Sequence, residues 1–330
     1  MSDAPPRVSA EPNVYTIPAH RSFADALVAG LMARFGKDPM GLAGGRILLP
    51  NNRAVRTVTE AFVRASGGGL VLPRLIPIGD PELEERMGGA LDPLDTSDAI
   101  LPAIDPHERL FVLAQLIRGD GEGAAEALRM AGELARTLDA LLIEEIAPAR
   151  LAEAAADAAE LAMHWQVSLD RLRAILDLWP KHLREVGRID LVERRNLLLR
   201  NLADRWKHRP PQHFTIAAGI TTAAPAVAAL LYRVARMPDG MVVLPALHLA
   251  NVLPEEEWEA LGPDEHRRSE ETHPQYHLKL LLERIGVARG EVRNWPAAGR
   301  SSSPAARGRA VANAMTAANF SHKWTGLKPA

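Results

Sequence analysis

With 330 residues, 47% of them apolar, and a net charge of -2, the chain has the make-up of a soluble globular protein with room for two or three domains. It has no cysteine, which excludes disulfides, iron–sulfur clusters and thiolate zinc sites within it, and no apolar run near the ~20 residues that span a bilayer. The start, Met1-Ser2-Asp3-Ala4-Pro5-Pro6, lacks a basic stretch followed by an apolar one, so no signal peptide is expected and a reducing cytoplasm fits.

The first element is an apolar strand, Val14–Ile17, running into the turn Pro18-Ala19-His20-Arg21. A helix is expected from Ser22, with Ser22 and Asp25 in the spacing of a capping box and Phe23, Leu27, Leu31 and Phe35 on one face. Gly36 stops it. A second strand, Ile47-Leu48-Leu49, closes at Pro50, and Asn51 or Asn52 can cap a helix that presents Val55, Val58 and Phe62. Gly67-Gly68-Gly69 breaks that helix, and Leu70-Val71-Leu72 is the expected third strand. Short apolar strands alternating with amphipathic helices point to a parallel sheet with helices on its faces.

Residues 81–104, rich in Asp, Pro and Gly, form a connecting loop in this reading. From Pro106 to about His208 the pattern is helical throughout. The expected helices are one around Phe111, Leu113 and Leu116, then Ala124–Ile146, Leu151–Met163, Leu169–Val186 and Leu191–Trp206. Strands return at Phe214–Ala218 and Met241–Pro245, with a helix at Ala224–Ala235 between them and another near Gln275–Ile285. The economical architecture is one α/β domain, residues 1–80 and 210–296, interrupted by an all-helical insertion, 81–209, with 297–330 a disordered tail.

Charge is uneven along this order. Residues 81–160 hold 18 acidic and 6 basic side chains and lie between mildly basic flanks, so any contact with a phosphate backbone should come from the flanks. The acidic block itself reads as a solvated helical surface.

The chemistry-bearing patterns are few. A phosphate-binding sheet protein places G-x-x-x-x-G-K-S/T after its first strand, where glycines admit the phosphates to backbone N–H groups and the lysine neutralises charge. The turn 18–21 has neither glycine nor lysine, and the strands ending at Ala218 and Pro245 offer no acid to hold a metal. His266, His273 and His277 lack a further ligand, and Pro274 places His273 at or before a helix start, so they read as structural or surface histidines. Gly187-Arg188-Ile189-Asp190 has the spacing of an element found in some metal nucleases, but it sits between two helices, where Asp190 is a natural N-cap. Arg194, Arg195, Arg200, Arg205, Lys207 and Arg209 spread around most of a helix circumference, and Trp165, Trp179 and Trp206 read as packing residues. The loop Pro50-Asn51-Asn52-Arg53 is the one place where amides and a guanidinium open a helix after a strand, a combination that can hold a phosphate.

Several segments, in this order and spacing, resemble the AddB family of double-strand break repair proteins in its alphaproteobacterial form. These are Val14–Pro18, Arg46–Ala54, Leu72–Asp80, Ala217–Thr221, Val243–Leu247 and His273–Gln275, spread over roughly residues 12–296. The resemblance implies a degenerate RecA-like domain of the superfamily 1 helicase type with a helical insertion. It implies no cofactor and no catalysis by this chain, an AddA-type helicase–nuclease subunit as partner, and single-stranded or duplex-end DNA as ligand. Asn51, Asn52 and Arg53 match the family's motif that touches single-stranded DNA. The family's members are several times longer and end in a nuclease domain with cluster-binding cysteines, so the chain is expected to be an N-terminal fragment. Two other readings compete: a protein-interaction scaffold docking through the acidic block 81–160, and an α/β enzyme acting on another substrate.

Overall fold

The computed structural model describes residues 11–79, 100–118, 123–148, 150, 163–263, 269–296 and 304–324. The chain divides into two compact units. One comprises Met1–Leu91, Leu202–Ala223 and Val227–Ala330, and the other Asp92–Asn201 with Ala224–Ala226. The sequence reading set its junctions at 80/81 and 209/210.

The first unit is built on six strands: β1 (Val14–Ile17), β2 (Arg46–Leu49), β3 (Arg74–Pro77), β4 (Thr215–Ala218), β5 (Gly240–Pro245) and β6 (Arg293–Asn294). They form one all-parallel sheet in the order β3-β2-β4-β5-β1-β6. Every residue of β1 and β4 is buried, the continuous apolar run expected of a parallel sheet covered on both faces. The register sets Val14 against Val242 and Ile47 against Ile216. Two late strands, β4 and β5, thus lie between β1 and β2.

Helix α1 (Phe23–Phe35) follows β1, the short α2 (Pro39–Gly44) precedes β2, and α3 (Asn52–Ser66) follows it. α3 is strongly amphipathic because only Val58, Ala61 and Phe62 are buried along its fifteen residues. Leu27, Leu31, Phe62, Ile216 and Val243 join one core, where fully burying a side chain such as Phe62 stabilises by ~2–3 kcal/mol. Trp295, just past β6, closes it: its indole N–H donates to the Ala26 carbonyl at 3.1 Å, and its ring meets Tyr15 edge-on at 5.3 Å.

The second unit is helical among its described residues. It holds α4 (Pro106–Arg118), α5 (Ala124–Ile143), α6 (Met163–Glu185) and the first part of α7 (Leu191–His208). Leu113, Ile117, Leu138, Ile175 and Trp179 form its separate core. A single bridge pairs Ala103 with Ile189. The helix expected at Leu151–Met163 lies almost wholly outside the described residues, as does the side chain of Trp165. The helices α8 (Pro225–Ala235), α9 (Glu255–Glu259) and α10 (Tyr276–Arg284) complete the α/β fold. No described helix is long and apolar enough to cross a membrane.

Three expectations are corrected and one is refined. The third strand is Arg74–Pro77, not Leu70–Leu72. Leu70 and Leu72 pack on the core as irregular chain while Val71 is 63% exposed, and Pro73 supplies no N–H. Ser22 does not close a capping box: its hydroxyl donates to the Asp25 carboxylate at 2.6 Å instead of accepting from the backbone. Asp190 holds the N-cap position, its carbonyl accepting from the Arg194 N–H at 2.9 Å, but its side chain is buried and engaged by Trp179 and Arg109. The tail expected to be disordered holds helix α11 (Ala305–Ala314) and a 3-10 helix, Ala318–Trp324. Alanine has the best helix propensity, and polar ties to Glu257 anchor the segment.

Candidate functional site

An all-parallel sheet gathers the carboxyl ends of its strands on one edge, and open α/β sheets bind ligands there. The segments after all six strands lie along this edge, and they divide into a closed part and an open part.

The closed part lies over β2, β3 and β4. Gly79 follows β3, and a Cβ there would stand 2.3 Å from the Pro50 carbonyl oxygen. Gly219 follows β4 with φ of +72°, facing Phe23 and Pro50. Only glycine adopts that conformation without strain. Pro50 is thereby held in place, and the next three residues project outward.

Of the three candidate residues, Asn51 is the N-cap of α3: its side-chain oxygen accepts from the Ala54 N–H at 2.9 Å. Asn52 and Arg53 open the helix and are exposed, and the Arg53 carbonyl accepts from the Thr57 hydroxyl at 3.0 Å. The loop therefore holds one residue whose side chain caps α3 and two exposed residues beside the positive end of its dipole.

The open part is a cleft of about 340 Å³ over β5, β1 and β6. Its polar lining includes His20, Arg21, His248, Asn251, Asn294 and Arg309, and no carboxylate lines it among the described residues. The turn 18–21 after β1 is thus a wall of this cleft, closed by an Arg21 N–H to Pro18 carbonyl bond of 3.0 Å.

The loop after β5 is held tightly. Ala246 sits at φ of +52°, a conformation costly by about 1–2 kcal/mol for a residue with a Cβ. Three contacts hold it. Its N–H donates to the Ile17 carbonyl at 2.8 Å, its carbonyl accepts from the Gln275 amide at 3.1 Å, and Gln275 also accepts from the His248 N–H at 2.8 Å. Buried Thr16 adds a two-way bond to Leu247. Burial lowers the His248 imidazole from its usual range, helped by His273 and Arg289 nearby. Burial also lowers His273, against the pull of Glu270. His273 accepts the Gln275 N–H at Nδ1, which requires that nitrogen to be unprotonated. The histidine is therefore a support for the loop, a structural role of the kind expected from its place beside Pro274. His277 lies on α10 beside Tyr276, and His266 lies outside the described residues. No group of three or more His, Asp or Glu with the geometry to hold a metal occurs among the described residues.

Beside the edge, the Ser22 hydroxyl and the Arg64 guanidinium hold the Asp25 carboxyl below its usual range. That carboxylate lies in the first turn of α1, where a helix favours negative charge.

No protein-family model matches the chain, and no curated protein matches it.

Proposed function

We propose that this chain is a non-catalytic, DNA-contacting module of the RecA-like type. In this reading it corresponds to the N-terminal part of an AddB-type subunit and works with an AddA-type helicase–nuclease in double-strand break repair in the cytoplasm. The observation that carries the proposal is the split of the loop after β2. Asn51 is used to cap α3, while Asn52 and Arg53 stand exposed at the opening of the helix on the carboxyl edge. A guanidinium beside helix N–H groups suits a phosphate of a single strand. The turn 18–21 supports a role without hydrolysis, since it has neither the glycines nor the lysine that grip a triphosphate. The helical segment between β3 and β4 and the six parallel strands fit the same reading.

The test is fluorescence anisotropy of a labelled single-stranded oligonucleotide with the intact chain, alone and with the partner subunit, across a salt series. Arg53→Ala is expected to weaken binding for all sequences alike and to lower the salt slope by about 0.7, the value of one phosphate contact on a single strand. Equal affinity for the parent chain and the Asn52→Ala, Arg53→Ala double variant would remove the assignment.

A further inference from the structure

The segment 304–324 is attached to the sheet unit in an unusual manner. Most of its large apolar side chains face solvent: Val311, Met315 and Trp324 are 57%, 48% and 51% exposed, and Phe320 is half-buried. What it buries is small, mainly Ala312, Ala317 and Thr316. Such a segment gains little from the hydrophobic effect, which scales with apolar area removed from water.

Its attachment is polar and converges on one group. Glu257, on α9, is 5% exposed. The Thr316 hydroxyl donates to one of its carboxylate oxygens at 2.5 Å, and the Lys323 ammonium donates to the other. Two other acids of α9 are engaged elsewhere, Glu255 by Arg289 and Glu259 by Lys279. Trp324 reinforces the segment internally, its indole N–H donating to the Asn313 carbonyl at 2.7 Å.

The same segment supplies Gly308 and Arg309 to the wall of the carboxyl-edge cleft. Attachment at Glu257 and closure of the cleft are therefore properties of one element.

We propose that residues 304–324 are a releasable strap across the cleft, latched by Glu257. The latch has a two-state character. A carboxylate out of water with both oxygens hydrogen-bonded is stable, and so is one fully hydrated after the strap lifts. A half-released strap leaves a desolvated anion with one partner, the costly case. Release is then concerted, and it removes Arg309 from the cleft and opens the pocket in the same step. This inference does not depend on DNA contact at Asn52 and Arg53.

Hydrogen exchange read by mass spectrometry on the intact chain tests it. The variants are Lys323→Met, the Lys323→Met, Thr316→Val pair, and Val311→Ala as a strap change away from the latch. All of these substitutions lie in the strap, so the sheet keeps its own residues. The pair is expected to speed exchange about tenfold or more in 305–314 and, together with it, in the cleft loop 247–252, the scale of losing charge-assisted hydrogen bonds. Lys323→Met should give a smaller change of the same pattern, Val311→Ala none, and strand β5 should stay protected throughout. Three results would each overturn the strap: tail amides unprotected in the parent chain, faster strap exchange with no change in 247–252, or no response to either latch variant.

Discussion

Asp190 illustrates how much one side chain's setting can differ from its position in the chain. It precedes α7, yet its carboxylate lies in the helical unit's interior, where the Trp179 indole donates to it at 2.9 Å. Arg109, also buried, stands 2.9 Å from its other oxygen and 2.7 Å from Asp139. The Arg109 N–H does not point at that Asp190 oxygen, so the contact is electrostatic and not a directed hydrogen bond. Burial pushes the Asp190 carboxyl up, while Arg109 and Trp179 pull it down. A buried guanidinium and an indole N–H both rely on this group. Asp190→Ala is expected to cost about 3 kcal/mol, because removing one partner strands the others. Asp190→Asn, which keeps an acceptor for Trp179, should cost less. Urea denaturation of both variants checks the order.

At the scale of elements, α3 shows a sequence signal realised in full. Asn51, with extended backbone, caps its first turn, and Gly67 ends it at φ of +60°. Asn51→Ala is expected to destabilise the protein by about 1 kcal/mol by chemical denaturation, leaving Asn52 and Arg53 in place. The strand after it shows the opposite. The apolar trio Leu70–Leu72 has strand composition, but Arg74–Pro77 is the segment that pairs with β2, residue for residue from Arg46 to Leu49. Pairing is decided by a partner's register, and a lone edge strand has little apolar pattern to announce it. The α11 segment went unread for a related reason: its anchor is one glutamate far away in sequence, not a periodic apolar face.

For the molecule as a whole, the two units each have a core of their own. Differential scanning calorimetry is expected to resolve two transitions, with Phe62→Ala lowering one and Leu113→Ala the other, each by ~3 kcal/mol of cavity and transfer cost. A single transition shifted alike by both would mean the units unfold as one. The sequence by itself determined the alternation of strands and helices, the parallel sheet and the helical stretch between β3 and β4. Those follow from local periodicity and from glycine, proline and asparagine at element ends, which act within a few residues. It also marked the loop 50–53. Only the tertiary structure decided the strand order, the division of labour between Asn51 and its two neighbours, the burial of Asp190 and the strap over the cleft. Apart from the Asn51 cap, whose partner Ala54 is 3 residues away, these rest on partners about ten to hundreds of residues apart, and pairwise contact at that separation leaves no local pattern in the chain.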